Sequence, residues 1–164
     1  MAVIERFTRA QDAPEGGIQA ALSELGSGRK RSHWIWYVFP QLVGLGHSPM
    51  AEHYALRDGE EAADFLRHPV LRGRLLAATT AVVVQLKAGV PLRTLMGSEV
   101  DALKLVSSLT LFELVAKRLG AKEPSADLTA IEANARRVLD SVASQGFDRC
   151  KFTLRRIEQE GRKS

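Results

Sequence analysis

His33 stands between three cations, Arg29, Lys30 and Arg31, and two tryptophans, Trp34 and Trp36, in the stretch GRKRSHWIWYVFPQLVGLGHSPM, residues 28–50. An imidazole titrates near neutral pH, so here it could serve as a general acid or base, or as a donor to a phosphate. It could equally be a core-edge histidine bonded to the backbone. No His, Cys or carboxylate lies three or four residues after it, which leaves it without a local partner for a metal. His47 and His53 are separated by a turn and carry little metal signal, and His68, before Pro69, reads as structural. The two indoles cannot both sit in the middle of one helical face. One is expected in the core, and the other could flank a pocket or stack on an aromatic ring.

A second concentration of chemistry is DALKLVSSLTLF, residues 101–112. On a helix, Asp101, Lys104 and Ser108 fall on one stripe, with Ser107 and Thr110 beside it, and nearly every other position is apolar. A helix apolar around most of its circumference is buried, and a lysine within it needs a partner. Two readings stay open: Lys104 pairs with Asp101 at i, i+3, or Lys104 and the serines face a polar cavity suited to a carboxylate or phosphate. A third feature, GLGHSP (residues 44–49), is a glycine turn opening onto a helix start, where unpaired backbone N–H groups attract anions. It matches neither G-x-G-x-x-G nor G-x-x-x-x-G-K-[ST], so neither a dinucleotide fold nor a P-loop is supported.

These residues need a scaffold, and the pattern that surrounds them is helical. Ile4, Phe7 and Ala10 open a first helix, and Ile18, Ala21, Leu22 and Leu25 a second that ends at GSG. Ser48 and Asp58 are expected N-caps, Pro49 and Pro69 first helical residues, and Ser98 with Asp101 resembles a capping box. Apolar residues at helical spacing run through 71–86 and about 99–119, and two amphipathic helices follow, split by Gly146. HWIWYVF has strand-like composition. It lacks a partner strand to satisfy its backbone, so it reads as a short buried helix ended by Pro40.

The chain has 164 residues, 45% of them hydrophobic and 26% charged, which is the balance of one globular domain. Its longest apolar run, Trp34 to Phe39, is far below the roughly 20 residues that span a bilayer. The N-terminal pattern is not that of a signal peptide. A single cysteine, Cys150, excludes an internal disulfide and any multi-cysteine metal site, and it reads as a packing residue. The expected location is the cytoplasm. The net charge of +4 is spread along the chain and argues only weakly for nucleic acid.

Four segments carry a resemblance: RFTRAQ (6–11), ALSELGSGRKRSHWIWYVFPQLVGLGHSPMAEHYAL (21–56), FLRHPVLRGRL (65–75) and GSEVDALKLVSSLTLF (97–112). The string S-H-W-x-W-x-x-F-P-Q, joined to G-L-G-x-S-P-M, is its most specific part. The chain resembles the DUF1810 family, also described as Rv1873-like: small, all-helical, mostly bacterial proteins of unknown function. The resemblance implies shared polar positions at Ser32, His33, Gln41, Ser48, Tyr54, Asp101, Lys104, Ser107, Ser108 and Thr110. Leu109 stands where relatives usually have Met, and Glu99–Ala102 departs from their usual Pro-Asp pair. The C-terminal element, Gly146, Asp148, Thr153 and Leu154, is more widely spaced than theirs.

The expectation is therefore one all-α domain over residues 1–164, of about seven or eight helices, with the resemblance strongest over 6–112. The expected function is binding of a small polar or phosphorylated ligand between the 32–54 segment and the 101–110 helix. Its candidate residues are Ser32, His33, Trp34, Trp36, Gln41, Ser48, Tyr54, Lys104, Ser107 and Ser108. If there is a reaction, His33 is the best base, with Lys104 and Ser108 as helpers, but no catalytic signature is present and no metal, cofactor or membrane partner is assigned. The alternatives are a nucleic-acid module using residues 29–36, ranked behind the small ligand, and a ligand-free scaffold or dimerisation domain.

Overall fold

Capping side chains and prolines divide the chain. In this computed structural model, which describes residues 2–163 and side chains from Ile4 onward, the described residues form ten α-helices and one short 3-10 turn. In order they are α1 (Ala2–Gln11), α2 (Ile18–Gly26), α3 (Ile35–Val38), α4 (Pro49–Tyr54), α5 (Gly59–Arg67), α6 (Pro69–Lys87), α7 (Leu92–Met96), α8 (Glu99–Lys122), α9 (Ala126–Val142) and α10 (Lys151–Lys163). The all-helical class is as expected; the count of ten replaces the expected seven or eight. The added helix α7 has five residues between Pro91 and Gly97, too few to display an apolar period.

The starts follow local chemistry. Ser48 Oγ accepts from Ala51 N–H at 3.1 Å, Asp58 Oδ1 from Glu61 N–H at 2.8 Å, and Ser98 Oγ from Asp101 N–H at 3.1 Å. Each supplies an acceptor to an amide that the first helical turn leaves unpaired. His68 ends α5 and caps α6 through Nδ1 at 3.4 Å. HWIWYVF is indeed helical at its centre, as α3. Two bounds differ from expectation: α8 runs on to Lys122, and α10 starts only at Lys151 because Phe147 is drawn into the core.

α8 is the central element. It packs along α9, and α5, α7, α10 and α3 cover its other sides. Every residue from Leu105 to Phe112 is buried, as an all-round apolar helix must be. α9 also packs on α6, and α6 on α2. Asn134 of α9 donates to Thr79 and Thr80 of α6 at 3.1 and 3.0 Å, which gives the buried Thr79 hydroxyl a partner. Arg149 ties the entry of α10 to Glu113 of α8 and Asp140 of α9, at 3.0 and 3.1 Å.

The short helices α3 and α4 depend on α1. An isolated helix of four or six residues does not persist in water. Gln11 Nε2 donates to the Tyr37 carbonyl of α3 at 2.8 Å. Arg6 donates to the carbonyls of His53 and Ala55, at 2.8 and 2.9 Å, where α4 ends. These carbonyls belong to the orphan groups that a helix C-terminus leaves. A parallel bridge between Leu42 and Leu56 closes the loop that carries α4, with Val43 N–H on Leu56 O at 2.8 Å.

Phe65 joins two parts of this core. Its ring meets Phe7 edge-on, with centroids 5.1 Å apart, and Phe112 at 5.3 Å. Phe65→Ala is expected to destabilise the fold by about 3–5 kcal/mol, read as a lower midpoint in urea with an unchanged slope.

Candidate functional site

The segment before α3 is fixed by one carboxylate. Glu24, on α2, accepts from the backbone N–H of Arg31 and Ser32 (2.6 and 2.8 Å), from the Ser32 hydroxyl, and from the Trp34 indole N–H at 3.0 Å. Burial opposes its ionisation. The Ser32 hydroxyl, the two amides and the indole outweigh that effect and hold the carboxyl down at about 2. Trp34 is thereby seated fully in the core.

The neighbouring Lys30 is turned inward. Its ammonium lies 2.8 Å from Asp101 Oδ2, donates to the Ser32 carbonyl at 2.6 Å and sits 5.1 Å from the Trp34 ring centroid. Its side chain is only 5% exposed. Gly97 makes this approach feasible. Its φ of +81° suits glycine, and a Cβ there would lie 2.9 Å from the Lys30 carbonyl oxygen. Asp101 in turn stands in the first turn of α8, where the helix dipole favours a negative charge.

Asp101 reaches Lys104 as well, at a looser 3.8 Å from Oδ1. The Lys104 ammonium lies 5.0 Å from the Trp36 ring centroid, a cation–π arrangement. Lys104 and Trp36 line a small cavity of about 10 Å³ together with Ile35, Phe39, Gln41, Ala51, Tyr54 and Ala55. That volume holds about one water molecule. The Trp36 indole N–H is buried and has no hydrogen-bond partner among the described residues.

Of the ten candidate residues, Trp36, Gln41, Tyr54 and Lys104 therefore come together around one cavity. Ser32 and Trp34 bind Glu24 instead. His33 is exposed, and its carbonyl accepts from the Tyr37 hydroxyl at 3.1 Å. Ser48 is exposed and caps α4. Ser108 is fully buried, and its hydroxyl has no hydrogen-bond partner among the described residues. Ser107 is buried, and the Cys150 thiol accepts from the Thr153 hydroxyl at 3.3 Å. Burial pushes that thiol up, but Ser107, Thr153 and the amides of Thr153 and Phe152 bring it below its ordinary value. Glu24, Lys30 and Arg6 were not among the candidates. Their roles rest on partners that are distant in sequence or belong to the backbone, which no local pattern signals. Among the described residues, no group of three His, Cys, Asp or Glu could hold a metal ion, and no helix is long and apolar enough to cross a membrane.

The family model DUF1810, described as a protein of unknown function, matches residues 2–126, and the chain belongs to that family. Among solved structures, the chain is similar to the conserved hypothetical protein Rv1873 from Mycobacterium tuberculosis. The two are 38% identical with a TM-score of 0.65, over 86% of this chain and 94% of that one. No curated protein matches the chain.

Two tests address the charge network. Asp101→Ala leaves the Lys30 ammonium buried without its counter-ion and is expected to cost about 3 kcal/mol or more, whereas Lys30→Met leaves Asp101 near Lys104 and should cost much less. Equal losses in urea unfolding would show that the pair is not organised this way. For Glu24, the folded carboxyl ionises at about 2 and the unfolded one near its ordinary value of 4.5. Between those values the unfolded chain binds the extra proton, so stability rises with pH across this window and falls as acid is added. Glu24→Gln should flatten that acid limb.

Proposed function

We propose that this DUF1810 protein binds a small polar or anionic ligand at the Trp36–Gln41–Tyr54–Lys104 cavity, between the 32–54 segment and α8. The observation that carries the reading is an excess of donors. The Trp36 N–H has no acceptor among the described residues, and Lys104 is held only loosely by Asp101, whose other oxygen is engaged by Lys30. A buried donor left unpaired costs about 1–3 kcal/mol, so a group that supplies an acceptor there is favoured. The cavity takes one oxygen-sized atom, which suits the inserted oxygen of a carboxylate or phosphate whose remainder lies outside. A whole phosphate requires the 41–55 segment to move outward.

The nucleic-acid alternative ranks lower because the groups it needs are engaged elsewhere. Lys30 is on Asp101 and the Trp34 indole is on Glu24, which leaves Arg29 and Arg31 as the exposed cations of the run. No reaction is assigned, since His33 stands exposed and does not line the cavity.

The test is a thermal-shift series with formate, acetate, nitrate, phosphate and nucleotides on wild type and Lys104→Met. A ligand at about 100 times its Kd should raise wild-type stability by about 2.7 kcal/mol. Lys104→Met should lose that gain, while its ligand-free Tm moves by no more than about 4 °C, because Lys30 still neutralises Asp101 and the methionine can still lie on Trp36. A compound that stabilises both proteins equally binds elsewhere. If none of the compounds shifts wild type at millimolar concentration, the scaffold reading replaces this one.

A further inference from the structure

Residues 43–55, which carry the GLGHSP turn and α4, form an Ω-loop, with its two ends joined at the base. Leu42 and Leu56 are buried there. Val43 N–H donates to Leu56 O at 2.8 Å, and Leu56 N–H to Gln41 O at 2.9 Å. From Val43 to Met50 every residue is exposed or half-buried. The two legs of the loop are held unequally. The leg that ends α4 is clamped: Arg6 binds the carbonyls of His53 and Ala55, and the Tyr54 ring lies 5.2 Å from Tyr37 and 5.9 Å from Phe7. The other leg passes through Gly44 and Gly46 before Ser48 starts α4.

What meets this second leg is Phe152 of α10. Gly44 has a φ of +100°, and a Cβ on it would come within 2.9 Å of Phe152 Cζ, so the ring rests directly on the glycine backbone. Phe152 is 38% exposed, which sets it apart from the core aromatics. Its place is fixed from α8. The Cys150 N–H donates to Thr110 Oγ1 at 3.1 Å, and Arg149 Nε to Glu113 at 3.0 Å. The same helix carries Lys104, on the wall of the Trp36 cavity opposite Ala51 of α4.

From this arrangement we infer that α4 is a gate over the Trp36 cavity, latched by Phe152 on Gly44. It turns about the Gly44–Gly46 joint and the clamped Tyr54 end. The inference rests on the binding reading of that cavity, and it supplies the way in for a ligand larger than one oxygen. Opening lifts Ala51 from the cavity and leaves the Leu42–Leu56 bridge and the Arg6 clamp in place. It forfeits the contacts of Phe152 and Ala51. In return, the Trp36 N–H, unpaired while the gate is shut, gains water as an acceptor, which lowers the cost of opening. A ligand oxygen answers the same donor with the gate shut, so binding favours closure.

The test reads the gate without a ligand, by hydrogen exchange of the two indole N–H protons in the full chain. The Trp34 proton, bonded to Glu24 in the core, reports global unfolding, and the Trp36 proton reports opening. Phe152→Ala should raise the Trp36 rate at least about fivefold while the Trp34 rate stays within about twofold of wild type. Gly44→Ala, whose Cβ would collide with the ring, should raise the Trp36 rate as well. Val84→Ala, which trims an exposed apolar side chain on α6, should change neither. The Val43 and Leu56 amides should keep their protection throughout. The gate is overturned if Phe152→Ala leaves Trp36 exchange unchanged, if the two indoles accelerate in parallel, if Val84→Ala does as much, or if the base of the loop loses protection together with Trp36. Selective acceleration at Trp36, with no compound raising the Tm, upholds the gate and removes the binding reading. A compound that binds at the cavity while Trp36 exchange ignores Phe152 does the reverse.

Discussion

Burying the Lys30 ammonium is the constraint around which this half of the molecule is arranged. An ammonium withdrawn from water needs a counter-ion and further acceptors. Asp101 supplies the first, and the Ser32 carbonyl and the Trp34 face supply the rest. Each requirement places a different part of the chain. Asp101 ties the lysine to the start of α8, Ser32 and Trp34 are held by Glu24 of α2, and Gly97 allows the Lys30 backbone to touch the end of α7. Three helices distant in sequence are thus registered by one charge. Lys104 follows as a consequence. Since Asp101 already faces Lys30, it holds the second ammonium only loosely, and that ammonium rests on Trp36.

The same economy of polar partners explains α1. Short helices expose a large share of unpaired carbonyls for the few hydrogen bonds they form. α3 and α4 persist because Gln11 and Arg6 arrive from one neighbouring helix to accept that role, while the Phe7 ring packs on Tyr54 and Phe65. The Trp36 cavity lies between these two short helices and α8. Its shape therefore depends on α1, although no α1 residue lines it.

Where the determinant was local, it could be read in the chain. The caps at Ser48, Asp58 and Ser98 depend on residues within three positions, and the long periods of α6 and α8 reveal their buried faces; the capping of α6 by His68 was not read, only its place at a helix end. The unequal burial of the two tryptophans was also readable from their spacing of two, although Trp34 precedes α3 as its N-cap. α7 was not readable: five residues carry no period, and its stability comes from packing on α8. Glu24 was not either. An acid on an amphipathic helix looks solvated until the loop eight residues later folds back onto it. Lys30 looked like one of three surface cations, and only the partner at Asp101, far along the chain, distinguishes it from Arg29 and Arg31.

The two openings in the molecule differ in what builds them. All residues around the Trp36 cavity, and the Glu24 and Lys30 networks behind it, fall inside the family match at residues 2–126. A larger cleft, of about 500 Å³ between α5, α8 and α10, needs α10, which lies beyond that match, as does the region where the C-terminal pattern departs from that of relatives. Arg118 and Lys122 are within the matched span, but the wall that makes a cleft of them is Glu160 and Gly161. Glu160 does this by binding the first amide of α5, so the helix end that could have attracted an anion is already occupied.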